Sequence, residues 1–443
     1  MINSQNRPPQ IDCKSKFSKD RVSMKKPLFA LILFTCSWSL SADSAQAAPD
    51  EEALCQSRHY PVGNARNWFF DECVRVGSFT HQAEILGIFG GSVNTMQPSA
   101  APLTLKKVKQ EPAYKWAVSG QTGLTIDDYL KRQRVMALLI IKDGAIQVER
   151  YQYERTADHR FLSNSMAKTI TSLGIGLALR EKLIRSLDDK AEIYAPKLTG
   201  TLYGQTTIRN LLRMSSGAKF EEIYNGKDDL ARYGAATMRE GAAAGARVIT
   251  ERLHPQGQVF NYASAETDML ALILQGATGQ TLSAYLQPRL WEPMGASSSG
   301  LWRADATGLE RASGNFNATA RDYARLGILL ANDGRRTDRP DLGEIIPRNF
   351  LLEATNRKKH PPAFAPKTAT PYYGYGYQVW TFPGEQRRFA LLGVYGQAIF
   401  VDPARKLVMV HLAANATAKA GQTSMGQEMG SLWYALVNHY GKW

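Results

Sequence analysis

The chain is expected to fold as a mixed α/β protein of the α+β kind, with one sheet flanked by helices and a helical subdomain inserted in its middle. Three observations point that way. An early strand pair is visible at Arg134-Val-Met-Ala-Leu-Leu-Ile-Ile-Lys142 and Ala145-Ile-Gln-Val-Glu-Arg-Tyr-Gln-Tyr153, joined by the turn-forming pair Asp143-Gly144. Helical apolar spacing then dominates, and strand patterns return only near the C-terminus. Strands at both ends with helices between them require one sheet built from distant segments.

The elements can be justified in chain order. Met24-Lys-Lys26 precedes the apolar run Pro27-Leu-Phe-Ala-Leu-Ile-Leu-Phe-Thr-Cys-Ser-Trp-Ser-Leu40, and Ala45-Gln-Ala47 stands before Ala48-Pro49. A basic region, an apolar core and a small-residue cleavage site in that order make residues 1–48 a Sec-type export signal. The polar stretch ahead of it raises Met24 as the true start of translation. The apolar run is short for a membrane span, so the mature chain is expected to have no integral span and to be periplasmic or secreted. Lipid attachment through Cys36 is disfavoured by Thr35 just before it.

Of Cys13, Cys36, Cys55 and Cys73, only the last two survive cleavage. An oxidising compartment makes a Cys55–Cys73 disulfide the natural pairing, with two buried free thiols as the alternative. No Cys-x-x-Cys or His-x-x-x-His accompanies them, so no metal site is expected. Residues 49–124 read as an irregular extension, punctuated by Gly87-Ile-Phe-Gly-Gly91 and Pro98-Ser-Ala-Ala-Pro102.

From residue 125 to the end the chain reads as one domain, with the helical subdomain over about 180–335. Residues 206–214, 263–276, 281–290 and 319–332 carry helical spacing. Strands are expected at Tyr375-Gly-Tyr-Gln-Val-Trp-Thr381, Arg388-Phe-Ala-Leu-Leu392, Ala398-Ile-Phe-Val401 and Lys406-Leu-Val-Met-Val-His-Leu412, before a closing helix at 425–440. The net charge of +14 raises the question of nucleic acid. The basic residues are dispersed rather than gathered into a stripe with interleaved aromatics, so the charge reads as a solvated, mildly anion-attracting surface.

The chemistry concentrates in Phe161-Leu-Ser-Asn-Ser165-Met-Ala-Lys168, which opens a helix-forming run. Ser165 and Lys168 are three apart, hence on one helix face. A neutral lysine there can take the serine proton as the hydroxyl attacks a carbonyl. Backbone N–H groups of the first turn would face the developing oxyanion. The spacing alone is weak, because Ser23/Lys26 and Ser216/Lys219 share it. Only Ser165 heads a helix directly after a strand pair; the bland alternative is a helix cap and a solvated lysine. There is no Gly-x-Ser-x-Gly elbow. The seven histidines are scattered, and His411 reads as a core residue of an apolar strand. A Ser-His-Asp triad assembled from distant positions stays open.

Ser165-Met-Ala-Lys168 resembles the first motif of class C β-lactamases, penicillin-binding proteins and their esterase and amidase relatives. Four further stretches follow in that family's order: Thr207-Ile-Arg-Asn-Leu-Leu-Arg-Met-Ser-Ser-Gly217, Val259-Phe-Asn-Tyr262-Ala-Ser264, Ala318-Thr-Ala-Arg-Asp-Tyr-Ala-Arg-Leu-Gly327, and Gly393-Val-Tyr-Gly-Gln397 before Phe400-Val-Asp-Pro403. The resemblance implies the β-lactamase/transpeptidase-like fold with an antiparallel sheet. It also implies Ser165 as nucleophile, Lys168 as base and Tyr262 as proton relay, its phenol partly ionised beside an amine. Ser264 would bond the lysine or the substrate, unless it simply caps a helix. The second oxyanion donor would lie within Gly393, Val394 and Tyr395, with Val394 foremost. The tyrosine-rich stretch 372–380 could wall the pocket or merely pack a strand.

The departures narrow the expectation. Position 264 is Ser where the lactamases usually carry Asn, and Gly393-Val-Tyr395 stands where they carry Lys-Thr-Gly. Lys367-Thr-Ala369 lies too far upstream and lacks the glycine. Losing that lysine removes a charge-assisted contact to a β-lactam carboxylate worth roughly 1.5–3 kcal/mol. The pattern is similar to the 6-aminohexanoate-dimer hydrolase branch and neighbouring esterases. It implies a serine hydrolase acting on a small-molecule amide or ester through an acyl-enzyme, with no metal or organic cofactor. A β-lactamase or D-Ala-D-Ala carboxypeptidase, and a silent ligand-binding protein on the same fold, are the alternatives. The oligomeric state is not encoded in any motif.

Overall fold

The computed structural model describes residues 51–85, 91–419 and 424–443, so the expected export signal at 1–48, with Met24 and Cys36, lies outside the described residues. The strands are β1 (Val93–Met96), β2 (Trp116–Val118), β3 (Gln121–Leu124), β4 (Val135–Lys142), β5 (Ala145–Tyr151), β6 (Arg160–Leu162), β7 (Gly300–Arg303), β8 (Phe316–Thr319), β9 (Gly374–Tyr375), β10 (Trp380–Thr381), β11 (Phe389–Gly393), β12 (Gln397–Asp402) and β13 (Leu407–Ala413).

The main sheet has seven antiparallel strands in the order β5-β4-β13-β12-β11-β10-β9. Its early hairpin forms as expected. Asp143 and Gly144 take φ of 50° and 76°, the left-handed pair whose twist suits a two-residue hairpin. Strand β4 joins residues from both ends of the chain, and its alternation feeds two cores. Leu139 and Ile141 pack on one side with Ile170, Leu173 and Leu326. Leu138 and Ile140 pack on the other with Tyr129, Leu432 and Trp433. Helices Ala167–Arg180 and Ala320–Ala331 supply the first layer, Ile126–Arg132 and Ser424–His439 the second.

Helix boundaries follow local chemistry. Thr207, Thr281 and Thr319 each accept a first-turn N–H at the start of helices Ile208–Leu212, Leu282–Leu286 and Ala320–Ala331. His411 is buried, with its Nε2 2.8 Å from the Tyr129 hydroxyl and its Nδ1 2.7 Å from the Gly396 carbonyl. Burial holds it down at about 4, so it is a neutral core histidine.

Four differences from the sequence expectation have physical causes. The run Tyr375–Thr381 is not one strand: β9 and β10 pair with each other, Tyr375 opposite Trp380. Its turn is pulled into the helical layer, where Gln378 is buried and donates to the Leu211 carbonyl at 2.9 Å. A Cβ on Gly376 would come within 1.8 Å of the Ala354 carbonyl oxygen, so the close approach needs glycine. Secondly, there is a further four-stranded sheet, β1-β7-β8-β6, whose short strands leave too little periodicity to read. Thirdly, helix Ala320–Ala331, within the span assigned to the helical subdomain, lies on the main sheet against β4, β12 and β13. Finally, the extension is part of the body. The Cys55–Cys73 disulfide staples it, with Cα atoms 4.9 Å apart. The buried Arg75 anchors it by donating to the Asn415 carbonyl at 2.8 Å. No helix among the described residues is long and apolar enough to cross a membrane.

Candidate active site

Ser165 is delivered by a strained junction. Strand β6 ends at Leu162, the Ser163 N–H donates to the Phe316 carbonyl at 2.7 Å, and Asn164 takes φ of 44°. Asparagine tolerates that left-handed conformation better than most residues. The chain then enters a 3-10 turn, Asn164–Met166, and the buried helix Ala167–Arg180. Half-buried Ser165 opens into a cavity of about 440 Å³.

Lys168 Nζ stands 3.0 Å from Ser165 Oγ and donates to the Ser313 carbonyl at 2.7 Å. The side chain is only 2% exposed. Burial lowers its pKa to about 8; Glu222 and Asp268 pull it up and Arg311 pushes it down. The same Asp268 accepts the Ser313 N–H at 2.8 Å, so this carboxylate both holds the lysine's carbonyl partner and adds to the charges that act on it.

Tyr262 faces this pair, its ring centroid 5.1 Å from Lys168 Nζ. It stacks on Trp380 at 5.4 Å and meets Tyr375 edge-on at 6.1 Å. The tyrosine-rich stretch thus packs against Tyr262, and none of its residues is among those lining the cavity. Burial raises the Tyr262 pKa well above its ordinary value, Glu222 adds to this, and a hydrogen bond with Ser165 opposes it. The phenol is therefore neutral, which corrects the expectation of partial ionisation: desolvation and a nearby carboxylate outweigh the amine.

Ser264 lies on the same wall but does not bond Lys168. Its Oγ and N–H both donate to Glu222, each at 2.8 Å. Nor is it the cap, which falls on Ala263; Glu222 instead accepts from the first turn of helix Ser264–Thr278.

The three third-motif residues separate. A Cβ on Gly393 would lie 2.5 Å from the Ser163 carbonyl oxygen, so only glycine lets β11 press against the serine turn. Val394 lines the cavity beside Asn164 and Ser165, and the Asn164 side-chain amide donates to its carbonyl at 3.0 Å. Tyr395 does not serve as expected. Its N–H donates to the Ala418 carbonyl at 2.9 Å, and its ring turns to the extension, 4.3 Å from Arg75 and 5.1 Å from Phe69.

Several side chains at the site had no motif to announce them. Asn164 could have been suspected as a left-handed residue between strand and helix. Asp268, which with Glu266 directly precedes the apolar run Met269–Leu274, was a readable signal. Glu222, Ser313, Arg303 and Arg311 reach the cavity through tertiary contacts alone. Trp68 and Phe69 from the extension line it together with Leu230, Ala235 and Met238 of helix Asp229–Glu240. Among the described residues no cluster of three or more His, Cys, Asp or Glu side chains is arranged to hold a metal ion.

A family model described as Beta-lactamase matches residues 125–424. The 6-aminohexanoate-dimer hydrolase of Paenarthrobacter ureafaciens is 26% identical over 285 residues, covering 63% of this chain and 72% of that protein. Among solved structures, "Putative 6-aminohexanoate-dimer hydrolase from Bacillus anthracis" aligns with a TM-score of 0.72 at 24% identity, over 85% of this chain and 96% of that one. The octameric penicillin-binding protein homologue from Pyrococcus abyssi aligns with a TM-score of 0.52 at 16% identity, over 72% of this chain and 76% of that one.

Proposed function

The chain belongs to the Beta-lactamase family, and we propose that it is a serine hydrolase that cleaves an amide or ester bond through an acyl-enzyme on Ser165. The observation that carries this reading is the 3.0 Å contact between Ser165 Oγ and a buried Lys168 whose pKa is lowered to about 8. At pH 7.5 about a quarter of such a lysine is neutral, against about a thousandth at its ordinary pKa.

The steps follow from the groups present. Neutral Lys168 takes the Ser165 proton as Oγ bonds to the carbonyl carbon. The backbone N–H groups of Ser165 and Val394 hold the oxyanion. Collapse of the tetrahedral species breaks the bond to the leaving nitrogen or oxygen, which takes a proton through neutral Tyr262 from the Lys168 ammonium. Water, deprotonated by the same relay, then attacks the acyl-enzyme and releases the acid and the free serine. Amide cleavage is supported by the likeness to the 6-aminohexanoate-dimer hydrolase. β-Lactamase activity is disfavoured because Gly393-Val394-Tyr395 offers no cation to a β-lactam carboxylate. We also assign the mature chain to the periplasm or the outside of the cell, which the Cys55–Cys73 disulfide supports.

The test is intact-mass analysis after incubation with a fluorophosphonate and, separately, with a penicillin. The wild type should gain one phosphonyl group and little or no penicilloyl mass, and Ser165→Ala should gain neither. A phosphonylated Ser165→Ala protein, or an unmodified wild type, would overturn the reading.

A further inference from the structure

The cavity lining carries two guanidinium groups, Arg303 at the end of β7 and Arg311 on the loop that follows. Arg303 is 8% exposed, yet among the described residues it has no carboxylate partner. Its Nη1 donates to the Gln82 side-chain oxygen at 3.2 Å, and its guanidinium lies 5.7 Å from the Trp68 ring. Arg311 has one acid, Asp268, no nearer than 3.7 Å, and that carboxylate already accepts from Ser313 and Tyr233.

The cavity's acids do not answer this charge. Glu222 is taken by Ser264 and Tyr224. Asp228 is taken by the N–H groups of Ala231, Ile223 and Tyr224. A buried guanidinium without a counter-charge is costly, and such groups are normally paired. Burial and Arg311 together lower the Arg303 pKa only to about 10, so it stays charged at neutral pH.

We infer that Arg303, backed by Arg311, is an anion subsite that binds a carboxylate of the substrate, so that preferred substrates are amides or esters carrying a free carboxylate beyond an apolar spacer. The spacer follows from the rest of the cavity lining, which includes the apolar side chains of Trp68, Phe69, Ala235 and Met238. The cation missing from the third motif is supplied by β7 and the loop after it. The inference rests on the hydrolase reading for the identity of the bond that reacts, not for the anion site.

Two measurements test it. The first compares kcat/KM for mono-p-nitrophenyl adipate and methyl p-nitrophenyl adipate, which share an acyl chain and differ by one charge. The acid should be preferred by about tenfold or more, the scale of one charge-assisted contact. Arg303→Gln should bring that ratio to about one, and Arg303→Lys should keep part of it; each ratio is taken on a single protein, so loss of folded enzyme cancels. The second is calorimetry on Ser165→Ala with monomethyl and dimethyl adipate, with and without Arg303→Gln. If the binding gap stands and Arg303→Gln closes it while the wild type hydrolyses neither nitrophenyl ester, the anion site holds and the hydrolase reading falls. Equal handling of acid and neutral ester by the wild type in both measurements, or a preference that survives Arg303→Gln, overturns the anion site.

Discussion

Replacing Lys168 separates its two possible roles, charge and proton transfer. The side chain is 2% exposed, and its pKa falls from 10.5 to about 8. That fall means the folded state disfavours the ammonium by about 3 kcal/mol. Two consequences follow, and they differ in sign. A protonated amine cannot accept from Ser165, so kcat/KM on a short-chain p-nitrophenyl ester should rise tenfold per pH unit up to about 8 and then level off. Stability behaves differently. Because the folded pKa lies below the unfolded one, stability is lost as pH falls from about 10.5 to about 8 and is constant below that.

Lys168→Arg keeps the charge but cannot deprotonate at working pH. Its kcat/KM at pH 8 should fall by about 10²–10⁴, the usual worth of a general base. Lys168→Met should be as inactive, yet at pH 7 no less stable than the wild type, with a gain of up to ~3 kcal/mol because no ammonium is buried. The assay pairs initial rates over pH 6–10 with thermal unfolding of each variant. A Lys168→Arg enzyme keeping more than about a tenth of wild-type activity would refute the base assignment. So would a wild-type activity limb centred near 10.5.

Further expectations concern the nucleophile, the third motif, the staple and a buried acid. Ser165→Ala should abolish ester hydrolysis while circular dichroism stays that of the wild type; residual activity above a few per cent would remove Ser165 from its role. Turnover of nitrocefin should be poor beside that of a short-chain ester, and a nitrocefin kcat/KM of ~10⁶ M⁻¹s⁻¹ or more would contradict the argument from Gly393-Val394-Tyr395. Breaking the disulfide by Cys55→Ser should cost about 3 kcal/mol in unfolding free energy, given a sequence separation of 18 between the cysteines. It should also raise KM, because Trp68 and Phe69 wall the cavity from within that loop; an unchanged KM would show that the wall does not depend on the staple. Glu266 is raised by burial to about 8, although Ser216 donates to it at 2.6 Å. With the folded pKa above the unfolded one, its contribution is complete below about 4.5 and is lost as pH rises through about 8. Glu266→Gln should flatten that decline in urea titrations, and an unaltered slope would contradict the assignment.

What the linear chain determined was local. Apolar alternation and Asp143-Gly144 settle a hairpin because a two-residue turn and a period of two are properties of neighbouring residues. The threonine caps start helices for the same reason, and three-residue spacing alone sets Ser165 and Lys168 on one face. The tertiary structure decided everything that depends on desolvation or on remote partners. Lys168 is a competent base candidate because helices and the Ser313 loop bury it, and Glu222 and Asp268 tune it from other segments. Tyr262 is neutral because it is buried beside Glu222, although its neighbour in the motif logic was an amine. Tyr395 carries the third motif's sequence but turns its ring to Arg75, since φ of 61° and the Ala418 carbonyl redirect it. The short strands of the second sheet, and the arginines that β7 and the loop after it carry to the cavity, had no pattern to read. Three or four residues cannot show a period, and a counter-charge missing across a cavity is visible only once the walls meet.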